Sequence, residues 1–359
     1  MFIRDNSQAL RNFVRLSQAL GARPDYVQGG GGNTSVKLKD GLMAIKASGY
    51  CLGDICTDKA YAVMDYIALR DFYCNHQISD FEDLEKAGSD CAKANTKTIE
   101  GIDALRPSVE AGFHSILKTY VLHTHSVYAN LAACSTTCQE IVKIAFAGAD
   151  YSWAWVPYCN PGVNLTFVIR DAMAQVQAQT GKVPSVIFMQ NHGLVVHDDD
   201  PDVCLALHAD ANERIAKMFG ITGTSFPKTA IRKLAGGFYA ADVPYLKQRL
   251  MSAGYTQQKL LENPLYPDQM VFLIGTFFMD KDTVEAGQCV ASSETGEILM
   301  NMPEKTARTL IETLTAVFFI MEEIEKAGYC VSTMGDDARS FIANWESEKY
   351  RKSIGGRKE

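Results

Sequence analysis

A chain of 359 residues has room for about two domains at ~150 residues each, and 47% hydrophobic with 21% charged residues excludes a disordered or collagen-like polymer. A net charge of −7 without a long basic block argues against nucleic acid as a partner. The longest apolar stretches, such as Val317 to Met321, fall far short of the ~18 residues of a membrane span. Met1-Phe2-Ile3-Arg4-Asp5 lacks the basic-then-apolar order of a secretory signal, so a cytoplasmic protein without membrane partners is expected. The ten cysteines contain no pair with the two-residue gap of a zinc ribbon or a dithiol motif and are read as free thiols.

In chain order, Ala9, Leu10, Phe13, Val14 and Leu20 predict an amphipathic helix over 5–20, with Asp5 or Asn6 as N-cap. A loop with Gly29, Gly30, Gly31 and Gly32 follows. Ser35 to Leu38 and Leu42 to Ala47 then read as strands joined through Asp40-Gly41, a hairpin signal. Ser108 is placed to cap a helix from Val109 to Lys118 that carries Glu110 in its first turn. Tyr120 to His125 reads as a buried strand, and Ser126 onward as a helix continuing past Cys134 and Cys138. Asn164 to Gln179 is helical and closed by Gly181. Ser185 to Met189 and Gly193 to Val196 are apolar runs separated by Gln190-Asn191-His192, and Asp200 to Met218 is a helix. Strands alternating with helices over 25–220 indicate one α/β unit, taken as a domain over 1–222. Thr222 to Gly237 resembles a connector. Residues 238–359 form a smaller, more helical extension in which Met270 to Phe278 is strand-like and Glu304 to Lys326 is a long amphipathic helix. Lys349 to Lys358 reads as a solvated basic tail.

Of seven histidines, His123 and His125 are two apart on a strand and so point to one side. Such a pair is either a chance neighbourhood with each ring bonded separately or half of a metal site. His192, at the end of another strand and followed by Gly193, would complete three ligands with one position left open, the pattern of catalytic zinc. Glu110 is either a carboxylate complementing a helix dipole or a general base beside the ion. His114 is read as a satisfied helix histidine, His197 as exposed, and His76 and His208 as residues without a partner in view. The glycine run is neither a Walker A loop nor a Rossmann fingerprint, because no Gly-Lys-Ser/Thr follows and a hairpin strand comes next. It is either ordinary turn chemistry or a phosphate nest, and Ser48-Gly49 and Ser108 carry the same two readings.

Taken together and in this order, Gly-Gly-Gly-Asn-Thr-Ser (30–35), Lys-Ala-Ser-Gly (46–49), Arg-Pro-Ser-Val-Glu (106–110), His-Thr-His-Ser (123–126) and Gln-Asn-His-Gly-Leu (190–194) resemble the class II aldolase/adducin family over roughly residues 10–220. The resemblance is closest to the aldolase domain of bacterial rhamnulose-phosphate aldolase/alcohol dehydrogenase proteins, whose region after that domain is also similar to Asn344 to Arg351. The chain stops at Glu359 without their dehydrogenase domain, so no redox activity is expected.

The resemblance implies a three-layer α/β/α domain with a mostly antiparallel central sheet. It implies a divalent metal, usually zinc, on His123, His125 and His192, with Glu110 as the acid/base. The substrate phosphate would sit among Asn33, Ser48, Gly49 and Ser108, whereas Val109 replaces a serine of the fuculose-phosphate aldolases. A homo-oligomer, commonly a tetramer, and a tyrosine from a neighbouring subunit are further implications; the resemblance does not choose among Tyr128, Tyr151 and Tyr158. The implied activity is retro-aldol cleavage of a phosphorylated ketose or related sugar through a metal-stabilised enediolate. The alternatives are a sugar-acid phosphate decarboxylase, dehydratase or epimerase on the same site, and a non-enzymatic assembly module of the adducin kind. Pentulose-phosphate epimerases are less similar, since they carry Asp where Glu110 stands.

Overall fold

Residues 33–46 form the expected hairpin. Strand β1 (Asn33–Lys37) turns through Asp40 at φ 58 and Gly41 at φ 72 into the antiparallel β2 (Leu42–Lys46). A computed structural model describes residues 2–252 and 256–344. The sheet continues with β3 (Tyr61–Asp65), β4 (Thr96–Lys97), β5 (Tyr120–Thr124), β6 (Trp153–Val156), β7 (Val186–Met189) and β8 (Gly193–Asp198). Its eight strands run in the order β4-β3-β2-β1-β5-β8-β7-β6, and every described pairing within this sheet is antiparallel except that of β6 with β7.

Period-two alternation feeds two apolar layers from one sheet. Tyr120 and Leu122 of β5, Val186 and Phe188 of β7, and Leu194 and Val196 of β8 join the larger cluster under the helices Ser7–Gly21, Val127–Ala133 and Pro201–Met218. Val121, Ile187, Met189 and Val195 turn the other way, against the helices Ala111–Ile116 and Val163–Thr180. Both faces are therefore covered, and the domain is a three-layer α/β/α sandwich with a mostly antiparallel sheet.

Beyond it lies a second, five-stranded sheet: β9 (Ile231–Lys233), β10 (Tyr239–Ala241), β11 (Phe277–Met279), β12 (Gln288–Ala291) and β13 (Ile298–Asn301), in the order β11-β12-β13-β10-β9. Strand β9 falls within the stretch read as a connector. The helix Glu304–Lys326 has the bounds its apolar spacing predicts. Its Leu314, Val317 and Phe318 join the same buried cluster as Leu10, Leu122 and Val196, so one core runs through both parts.

Several local expectations are corrected. Met270 to Phe278 is not a strand. Pro267 opens a helix, Pro267–Leu273, because its fixed φ suits a first helical position, and β11 starts at Phe277. The helix after β5 stops at Ala133 and a new one, Cys138–Ala145, begins four residues past Cys134, so the two thiols share no helix. His197 is buried rather than exposed, because it lies on β8, an interior strand, opposite Val121. Trp345 to Arg351 and the basic tail lie outside the described residues. Among the described residues no helix is long and apolar enough to cross a membrane.

Candidate metal centre

Strands β5 and β8 pair side by side, with His123 opposite Val195 and Thr124 opposite Leu194. This pairing brings the two distant histidine motifs together. Only three residues link β7 to β8. Asn191 takes φ 49 there, and a Cβ on Gly193 would stand 2.3 Å from the Thr124 carbonyl oxygen. The glycine lets the turn settle on the end of β5, and the positive φ falls on Asn191, a residue type that tolerates it. The turn is anchored from the C-terminal part: the Asn191 side-chain amide donates to the Leu265 and Ser332 carbonyls, each at 2.8 Å.

The three imidazoles converge. Ring centroids are 4.9 Å apart for His123 and His125, 5.0 Å for His123 and His192, and 5.1 Å for His125 and His192. One nitrogen from each lies within 4.8 Å of the other two, and all three side chains are buried. His123 Nδ1 lies 3.0 Å from the Leu194 carbonyl and His125 Nδ1 lies 2.5 Å from Asp268 Oδ2. A carbonyl and a carboxylate only accept, so each Nδ1 carries a proton and each Nε2 is the ring nitrogen turned toward the centre. Those two Nε2 atoms face each other at 3.1 Å. Burial holds His123 down at about 4 and His192 at about 3, partly offset by the Glu110 charge, so both rings are neutral near pH 7.

Glu110 closes the group. Its Oε2 stands 3.4 Å from His123 Nε2 and its Oε1 3.3 Å from His192 Nε2. Burial raises this carboxyl, but His123, His192, His125 and the Asn33 amide outweigh burial and hold it at about 2. An ionised carboxylate thus lies among the imidazoles, and His192 Nδ1 and Glu110 Oε1 lack any hydrogen-bond partner among the described residues. Three buried imidazole nitrogens grouped beside a buried anion are a set that a divalent cation would satisfy, and imidazole nitrogens are its ordinary donors. The donor set fits a metal ion.

Glu110 precedes the short helix Ala111–Ile116 instead of lying in the first turn of a longer one, and Leu117 is already extended. Ser108 does not cap that helix. Its Oγ accepts from the Glu110 backbone N–H at 3.3 Å and from Asn33 Nδ2 at 3.1 Å. Asn33, directly opposite His123 in the sheet, also donates to Glu110 Oε2 at 2.7 Å. Behind it, the Ser35 hydroxyl donates to His114 Nδ1 at 2.7 Å while His114 Nε2 donates to Asn33 Oδ1. His114 is therefore satisfied, as expected, and its chain of bonds also orients the Glu110 carboxylate through Asn33. His208, read as partnerless, is buried and bonded to Thr124 Oγ1 at 2.8 Å.

Of the residues expected around a phosphate, Ser48 and Ser108 sit on neighbouring segments, since Ser48 N–H donates to the Arg106 carbonyl and Ser108 N–H to the Lys46 carbonyl. Gly49 has φ 86. Asn33 and Ser108 are engaged with each other and with Glu110. Lys46, buried, donates to the Gly30 carbonyl at 3.1 Å and the Tyr50 carbonyl at 2.8 Å, tying the glycine run to the Ser48-Gly49 turn. Within the run, Gly31 N–H donates to the Gln28 carbonyl and Gly29 N–H to Glu312 Oε2 at 3.4 Å, so these two donors are already engaged. Of the tyrosines, Tyr151 donates to Asp210, Tyr158 lies by Asn160, and Tyr128 is buried in the core. A tyrosine that does lie beside the imidazoles is Tyr266, 6.3 Å from His125 between centroids. Sequence reasoning missed Tyr266 and Asp268. The Tyr-Pro-Asp run signals a helix start, and nothing in it points to a histidine far upstream.

The family model described as Class II Aldolase and Adducin N-terminal domain matches residues 11–219. The chain belongs to this family. The family match ends before Tyr266 and Asp268 and includes His123, His125, His192, Glu110 and Asn33. Over 210 residues the chain is 25% identical to the uncharacterized oxidoreductase YuxG of Bacillus subtilis, a match that covers 55% of this chain and 27% of that protein. The chain thus spans much less than two thirds of that relative. Among solved structures, the N-terminal class II aldolase domain of a conserved protein from Thermoplasma acidophilum aligns with TM-score 0.47 and 22% identity, over 57% of this chain and 91% of that one. A sugar-phosphate aldolase from Thermotoga maritima aligns with TM-score 0.42 and 13% identity, over 60% and 96%.

Proposed function

We propose that this class II aldolase-family protein is a metal-dependent carbon–carbon lyase that cleaves a phosphorylated ketose or a related sugar by a retro-aldol reaction. His123, His125 and His192 would hold a divalent ion, with zinc the first candidate. The observation that carries the proposal is the meeting of three buried imidazoles, two of them with Nε2 atoms 3.1 Å apart, beside one ionised carboxylate. When bound, the ion would act as a Lewis acid toward adjacent carbonyl and hydroxyl oxygens, offsetting the negative charge that develops when the neighbouring C–C bond breaks.

The protein's own groups supply the rest. Glu110, ionised and held by Asn33, is placed to take a proton from a sugar hydroxyl and return it to the carbon product. Ser35, His114 and Asn33 fix its orientation, which keeps the acceptor oxygen aimed at one point. Ser48, Gly49 and Ser108, with Asn33, are the proposed surroundings of the substrate phosphate.

The test is a turnover assay on ketose 1-phosphates. Glu110→Gln is expected to retain metal and lose turnover by roughly 10²–10⁴-fold, whereas His123→Ala loses both metal and activity. Unchanged turnover in Glu110→Gln contradicts its role. Activity on 3-oxo sugar-acid phosphates alone would reassign the reaction to decarboxylation on the same site.

A further inference from the structure

Asp268 lies outside the family-matched residues, in the first turn of the helix Pro267–Leu273, and is fully buried. Its Oδ2 is 2.5 Å from His125 Nδ1. We propose that Asp268 is a positioning residue of the metal centre, which it completes from the C-terminal part of the chain by fixing the tautomer and aim of His125.

The proposal rests on the reading of His123, His125 and His192 as ligands. Geometry supports it at four points. A carboxylate on Nδ1 holds a proton there and aims the Nε2 edge of the ring toward His123, which a hydroxyl or an amide partner would not enforce. The contact has no room to relax: a Cβ on Gly31 would stand 2.3 Å from Asp268 Oδ2 and 3.1 Å from His125 Nδ1, so the glycine run makes space for this pair. The preceding residues hold the segment in place, with Tyr266 Oη donating to Gln28 Oε1 at 3.3 Å and Gln269 Oε1 accepting from the Leu265 N–H at 2.8 Å. The Leu265 carbonyl in turn accepts from Asn191, the neighbour of His192. One short segment, Leu265 to Asp268, thus braces two of the three imidazoles, from a region that lies after the family match.

The experiment compares the full chain with its Asp268→Ala and Asp268→Asn variants by competing Zn²⁺ against a chromogenic chelator and by recording the visible spectrum after Co²⁺ substitution. Asp268→Ala is expected to weaken Zn²⁺ by roughly 10–100-fold and to shift the Co²⁺ bands. Asp268→Asn, which keeps an acceptor for the Nδ1 proton, recovers part of the affinity and moves the bands back toward the parent. Should Asp268→Ala fail to fold, Asp268→Asn alone carries the test, with a several-fold weaker Zn²⁺ affinity expected at parental circular dichroism. Parental affinity and spectrum in every folded variant, while His123→Ala binds nothing, overturns the role of Asp268 and leaves the centre standing. A parent chain that takes up no metal overturns the centre itself and this role with it.

Discussion

Glu312 projects from the helix Glu304–Lys326 toward the Gly29 N–H, and burial lifts its carboxyl from the ordinary 4.5 to about 7. An acid whose folded pKa is raised contributes its full stability only below the unfolded value, and the contribution is lost as pH climbs from 4.5 through 7. Glu312→Gln removes the ionisation and keeps an acceptor for Gly29. The advantage of the variant over the parent in urea unfolding should therefore grow by roughly 1–3 kcal/mol between pH 4.5 and pH 8. A difference that does not change with pH contradicts the burial of a titrating carboxyl there. At this scale much of the site was legible. His123 and His125 share a strand face by period two, and Gly193 announced a close backbone approach. Asp268 was not legible, because a single aspartate in a helix first turn is explained equally well by the dipole. His197 and His208 were misjudged for a related reason: adjacent charge and helical placement describe the neighbours in sequence, whereas burial is decided by which strand or helix covers the ring.

At the scale of elements, the turn between β7 and β8 decides where His192 stands. Asn191 combines a left-handed backbone with two side-chain bonds into the C-terminal part. Asn191→Gly removes the bonds and keeps the backbone at ease, whereas Asn191→Ala removes the bonds and strains the backbone as well. Thermal and urea unfolding should show both variants destabilised by about 1–3 kcal/mol through the loss of the two side-chain bonds, with Asn191→Ala about 1 kcal/mol worse. Equal stability of the two variants contradicts a strained turn. Strands β1, β2, β5, β7 and β8 and the long helices were readable from apolar spacing, Glu304–Lys326 to the residue, whereas β3, β4, β6 and the second sheet were not read. Failures came where two signals compete over a few residues. Met270 to Phe278 is apolar throughout, so periodicity could not separate strand from buried helix, and Pro267 was the cue that decided it. The helix expected from Val109 to Lys118 shrank to Ala111–Ile116 because Ser108 and Glu110 spend their polar groups on each other and on Asn33.

For the whole molecule, the consequence is that the centre draws on both parts of the chain. The sheet delivers His123, His125 and His192, the segment before the short helix delivers Glu110, and Asp268 arrives from beyond the family domain. A continuous buried cluster joins these parts, so the proposed ion, binding the folded chain and not the unfolded one, would raise the unfolding temperature with its concentration. The direct measurement is anomalous diffraction at the zinc edge from crystals of the full chain soaked with Zn²⁺, paired with metal analysis of the His123→Ala, His125→Ala and His192→Ala variants. A single peak about 2.0–2.1 Å from one nitrogen of each of the three imidazoles, with metal content lost in every variant, is the predicted result. Peaks elsewhere, or metal content unchanged in the three variants, would contradict it.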